Sequence, residues 1–146
     1  MSDSVEPLRP PSDTAPVRSL HDLERHWRMV KGPWGFSGPQ LFCQFFAADG
    51  TVLPIIVNVG DCPTTPDGAT AEQLFARLAE VVDDAPEPLT VAVMFARPGL
   101  DRTGPADRAW AHELTHAARA SSLEVWPVFL ANESGVRIVS PDDLAA

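Results

Sequence analysis

The stretch Leu89-Thr-Val-Ala-Val-Met-Phe95 constrains this chain more than any other. It is a continuous apolar run, too short for a membrane span, with turn formers on both sides: Pro86 and Pro88 before it and Pro98-Gly99 after it. Such a run reads as a strand buried on both faces. A strand of that kind needs covering layers on both sides, which places the chain among α/β folds.

The neighbouring segments supply those layers. Ser19 reads as an N-cap with Asp22 three residues on, and Leu20, Leu23, Trp27 and Val30 follow at helical spacing. Lys31-Gly32-Pro33 should end this helix. Residues 41–47 and 51–59 read as a hairpin around Asp49-Gly50, taken as a type I′ turn, and Pro54 marks the second strand as an edge or a bulge. Thr70 with Gln73 resembles a capping box for a second helix with an apolar face of Leu74, Leu78, Val81 and Val82. Pro105 opens a third helix running to about Ala120. Strands at 123–130 and 136–139 follow, with a turn at Asn132–Gly135. The expected fold is therefore a single mixed β-sheet flanked by helices, with an N-terminal helix, of JAB/MPN or deaminase-like order. Residues 1–18 are expected to be a disordered tail, 19–140 one α/β domain and 141–146 a C-terminal tail.

At 146 residues, with 45% hydrophobic and 21% charged residues, the chain can bury a core without staples. Its formal net charge of −9 argues against nucleic acid as a partner, because phosphate-backbone binding needs a basic field. No apolar run reaches membrane-span length and the N-terminus lacks a signal-peptide pattern, so no membrane partner and a cytoplasmic location are expected. Cys43 sits in an apolar run and reads as core. Cys62 adjoins Asp61, whose charge works against a reactive thiolate.

Phe95-Ala-Arg-Pro-Gly99, leading to Gly104-Pro-Ala-Asp107, together with the element order over roughly residues 41–140, resembles the JAB/MPN domain of RadC-type proteins. That family carries His-x-His-Pro and then Ser-x-x-Asp at these places, binds zinc through them, and uses a Glu elsewhere as base. Here Phe95 and Arg97 stand where the two histidines would be, Gly104 stands near the serine, the loop is about one residue short, and Asp107 alone is kept. Phe cannot ligate a metal and Arg has no lone pair to offer. The resemblance thus implies a metal-free, degenerate member without the family's peptidase activity. The Arg-, Ala- and Pro-rich usage is similar to that of short proteins from GC-rich actinobacterial genomes.

His112-Glu-Leu-Thr-His116 in the third helix has the pattern of zinc metallopeptidases. Residues i and i+4 share a helix face, so both imidazoles can reach one zinc with Glu113 as general base. The apolar face through Ala106, Trp110, Leu114 and Ala117 turns both histidines towards solvent, and no third ligand has an obvious place.

The resulting expectation is a non-enzymatic interaction or scaffolding domain with no catalytic residue and no cofactor. A small zinc-dependent hydrolase built on His112, Glu113 and His116 is the alternative. The candidate binding residues are Arg97 and Arg102, which can hold an anion beside the third helix, Asp107 at that helix's first turn, and the aromatics Trp34 and Phe36. The expected partner is a protein or a small anion, with a homo-oligomer possible.

Overall fold

A computed structural model describes residues 15–32, 35–100 and 102–139. The elements are α1 (Leu20–Lys31), β1 (Gln40–Ala47), β2 (Val52–Val59), α2 (Ala69–Asp84), β3 (Leu89–Ala96), α3 (Pro105–Ala120), β4 (Phe129–Asn132) and β5 (Gly135–Ile138). They form one five-stranded sheet in the order β2-β1-β3-β4-β5. Only β3 and β4 run parallel, and the other pairs are antiparallel. The chain is thus an α/β protein with one mixed sheet flanked by helices, as its sequence implies.

The apolar run forms the middle strand. β3 pairs with β1 from Leu89 to Ala96, and its side chains alternate between two cores. Val91, Val93 and Phe95 join Leu41, Cys43, Phe45, Leu78, Trp110 and Leu114 on the α2/α3 side. Ala92, Met94 and Ala96 join Leu23, Trp27, Phe46 and Phe129 on the α1 side. The two alanines leave room above the sheet, and Trp27, with none of its surface exposed, takes it. Burying a side chain such as Leu23 contributes about 1.5–3 kcal/mol, which fixes α1 on this face. Among the described residues, no helix is long and apolar enough to cross a membrane.

α1 starts where Ser19 Oγ accepts the Asp22 N–H (3.1 Å) and stops at Gly32, whose φ of 61° closes the last turn on Arg28. Its packed face differs from the expected one at one end. Leu20 is 43% exposed, and the chain before the helix replaces it: Val17 is buried, and its N–H donates to Gly50 O at 2.8 Å. Val17 therefore packs on the α1 side of the sheet ahead of residue 19.

Three local expectations need correction. The β1–β2 turn is not type I′. Only Gly50 has positive φ (95°), Gly50 N–H donates to Ala47 O, and Ala47 N–H donates to Thr51 O, which makes a three-residue hairpin loop. α2 is not capped by Thr70 and Gln73. Thr70 lies inside the helix, and its N–H is taken by Asp67 Oδ1 at 3.0 Å. The strand expected at 123–130 is split: Val125 makes a lone parallel bridge to Val91, Pro127 interrupts, and β4 begins at Phe129. Pro54 does sit on an edge strand, and the β1–β2 register slips beside it, between Gln44 and Phe46.

Candidate functional site

The C-terminal ends of the two parallel strands and the start of α3 meet at one corner of the sheet. Crevices outside strand C-termini are where α/β sheets place ligands. The loop after β3 is held there by its first residue. Arg97 continues the ladder, donating its N–H to Ala131 O at 3.1 Å. Its guanidinium forks onto Asp107, Nε to Oδ1 at 2.7 Å and Nη2 to Oδ2 at 2.8 Å. The same group donates to the carbonyls of Pro98 (2.9 Å) and Arg102 (3.2 Å). One side chain thus binds the loop to itself and to the helix.

Asp107 occupies the third position of α3 and accepts the Gly104 N–H at 2.9 Å, the carboxylate half of a capping box. Gly104 has no side chain to return the bond. Burial pushes the Asp107 carboxyl up, but hydrogen bonds from Arg97 and Gly104, with the charges of Arg97 and Arg137, outweigh it and hold the group below its ordinary value. The carboxylate stays ionised and committed.

Around this pair lies a cleft of about 400 Å³, lined by Arg97, Leu100, Arg102, Thr103, Asn132 and Arg137, among others. Arg137 comes from β5 and donates Nε to Thr103 Oγ1 (2.7 Å) and Nη1 to Ile138 O (3.2 Å). The sequence reading missed Arg137 and Thr103. The available signal was a single charge inside the apolar strand Val136-Arg-Ile-Val139. It did bring Arg97, Arg102 and Asp107 to one place. Arg102 is exposed, whereas the Arg97 side chain retains 19% of its exposure and is a fixed part of the wall.

The remaining candidates fall elsewhere. Phe36 is half-buried on the α1 side, 6.3 Å from the Phe42 ring, with Lys31 Nζ 5.9 Å from its ring centre. Trp34 lies outside the described residues. His112 and His116 are exposed and Glu113 is half-buried, while Asp107, Trp110, Ala111, Leu114 and Ala117 form the buried face of α3. His112 and Glu113 line a separate groove with Thr65, Pro66 and Arg108, which His116 does not reach. No cluster of three or more His, Cys, Asp and Glu suited to a metal occurs among the described residues.

Zinc does not fit the position that the JAB/MPN resemblance assigns to it. Phe95 is stacked on Trp110, with ring centres 4.8 Å apart, inside the apolar core. Arg97 brings a positive charge, and Asp107 is already held by Arg97 and Gly104. A zinc ion needs about four lone-pair donors, and these three residues offer one engaged carboxylate. The cysteines are unsuited to nucleophilic work as well. Burial drives the Cys43 thiol up to about 12 and, together with the charge of Asp61, raises that of Cys62. Comparison with models of known protein families and with curated proteins finds no match for this chain.

Proposed function

We propose that the chain is a non-enzymatic interaction domain, a metal-free relative of the JAB/MPN architecture that binds a protein partner at the cleft beyond β3. The observation that carries this reading is the Arg97–Asp107 fork. It puts a fixed guanidinium where the resemblance would have metal chemistry, and it ties Pro98, Arg102 and the start of α3 together beside the cleft. Backbone tied down by one side chain at the end of a buried strand suits recognition, since less ordering entropy remains to be lost on binding. The two unbridged, buried thiols fit a reducing compartment, in keeping with work in the cytoplasm.

The test has two arms. A photo-crosslinking residue at position 100, on the cleft rim, should give a discrete adduct in the source cell that is missing when the same residue stands at Glu72 on α2. Purified protein should show no zinc-dependent hydrolysis of peptide or isopeptide substrates. Near-stoichiometric zinc, with hydrolysis abolished by His112→Ala and His116→Ala, would overturn the reading in favour of a metallohydrolase.

A further inference from the structure

We infer that the outer edge of β2 is a self-association surface, on which a second copy of this chain adds its own β2 as an antiparallel strand; the surface lies apart from the cleft, with β1 and β3 between. Among the described residues β2 pairs with β1 alone, so it ends the sheet on that side. An edge strand offers a row of unpaired N–H and C=O groups to any extended chain, and monomers blunt it with charge, proline, a bulge or a short strand. β5, at the opposite edge, is four residues long and carries Arg137. β2 is eight residues long, Val-Leu-Pro-Ile-Ile-Val-Asn-Val, with no charged residue. Its guards, Pro54 and the slipped register, both sit in its first half. From Ile56 to Val59 it runs in regular register with Gln44 to Leu41, and Ile55 and Ile56 stand 44% and 39% exposed.

Strand alternation identifies the free groups. The carbonyls of Thr51, Leu53 and Ile55 face β1, where they accept from the Ala47 N–H and the Gln44 amide. Leu53, Val57 and Val59 share the α2/α3 face, so the alternation carries through the slip. The backbone groups of Ile56 and Asn58, and the carbonyl of Pro54, therefore point outward. A two-fold axis at Val57 sets Ile56 of each copy opposite Asn58 of the other, and both residues then exchange N–H and C=O across the seam. Pro54, without an N–H, loses one donor at the margin. The occupant follows from charge. Two copies of a chain of net −9 repel at long range, so self-association needs a seam without carboxylates. This edge brings together only uncharged and mostly β-branched side chains, which suit a sheet. A foreign strand would find the same backbone groups, but no charge on the edge selects it, whereas a second copy makes every contact twice. A strand pair of this length falls below the about 1,200 Å² at which stable interfaces begin, so the dimer is weak and forms with concentration.

Analytical ultracentrifugation of the full chain from about 1 μM to about 0.5 mM tests this. The expected result is monomer at the low end and dimer at the high end. Ile56→Lys should weaken dimerisation by about tenfold, with unchanged thermal melting at low concentration. Leu20→Lys makes the same change in charge and apolarity at an exposed site on α1 and should leave the dimer as it was. Hydrogen exchange on the unaltered chain reads the seam itself: the Ile56 and Asn58 amides should slow as concentration rises, while those of β5 stay as they were. Three results would overturn the inference: a monomer throughout, which leaves the edge to a foreign strand or to none; equal losses in Ile56→Lys and Leu20→Lys; or a dimer in which the Ile56 and Asn58 amides exchange as fast as in the monomer. None of them bears on the cleft, whose reading stands or falls by crosslinking and zinc.

Discussion

His26 and Gln44 share a buried hydrogen bond, Nε2 to Oε1 at 3.0 Å, that joins α1 to the sheet. The Gln44 amide nitrogen donates to the carbonyls of Leu53 (3.0 Å) and Ile55 (2.8 Å), on either side of Pro54. With that nitrogen committed, Oε1 must accept, so the His26 ring carries its proton on Nε2. The side chain of β1 thereby makes bonds that the disrupted β1–β2 ladder cannot. Gln44→Leu strands two carbonyls and an imidazole N–H and should cost about 2–4 kcal/mol, read from chemical denaturation. A loss under about 0.5 kcal/mol would mean that water replaces the amide freely.

The same bond predicts an acid-sensitive step. Burial holds the His26 imidazole below its ordinary value of 6.5, against a smaller opposing effect of the Gln44 bond. Its other near neighbours include the rings of Trp27 and Phe46, each 5.7 Å away between centres. At pH below 6.5 the unfolded chain therefore binds more protons at this residue than the folded one. The His26 contribution is complete above 6.5 and declines as pH falls towards the depressed folded value. Thermal melting followed across this window should decline with acid in the native chain and decline less in His26→Gln. Equal slopes would remove His26 as the cause. The Asp107 contribution falls away only at lower pH, below 3.8, because its folded value is held under that figure.

Much of this architecture can be read from residue order. The run at β3, the Pro105 start of α3, the Ser19 cap and the Pro54 edge each rest on a local rule, and the structure follows them. Side-chain partnerships are less legible. Gln44 reads as an ordinary strand residue, and only the β2 bulge across from it explains a buried amide. Arg97 reads as a solvated loop arginine because its partner is ten residues on, and only the return of α3 over the sheet end brings Asp107 to it. Arg137 is further still, contributed by the last strand. Thr70 misled because Asp67 Oδ1, one turn earlier and charged, takes the Thr70 N–H that Gln73 would hold in a capping box.

The Arg97–Asp107 pair should matter to folding in a way its neighbour does not. Arg97→Ala leaves a largely buried carboxylate with one backbone N–H and removes the two loop carbonyls' donor. The expected cost is roughly 3 kcal/mol. Arg97→Lys should recover only part, since an ammonium cannot fork onto both oxygens. Arg102→Ala, at an exposed position, should change stability by less than about 0.5 kcal/mol. Urea denaturation of the three variants separates them, and equal small losses would show the loop to be held by its backbone alone.

Gly50 should be irreplaceable for two independent reasons, the second of which reaches beyond the hairpin. Its φ of 95° is strained for any residue with a Cβ. A Cβ built there would stand 2.7 Å from Val17 O and 2.9 Å from Arg18 Cγ. That contact is where the chain ahead of α1 is tied down, through Val17 N–H to Gly50 O (2.8 Å) and Arg18 Nε to Asp49 O (3.0 Å). Gly50→Ala must therefore either twist the turn or push Val17 out of the core beneath α1. The strain costs about 1–3 kcal/mol, and exposing Val17 adds about 1.5 kcal/mol or more. Hydrogen exchange distinguishes the routes. Faster exchange at Val17 N–H with β1 and β2 amides still protected would locate the damage at the clasp, whereas loss of protection across both strands would locate it in the turn. Unchanged stability and unchanged exchange at Val17 would contradict the clasp.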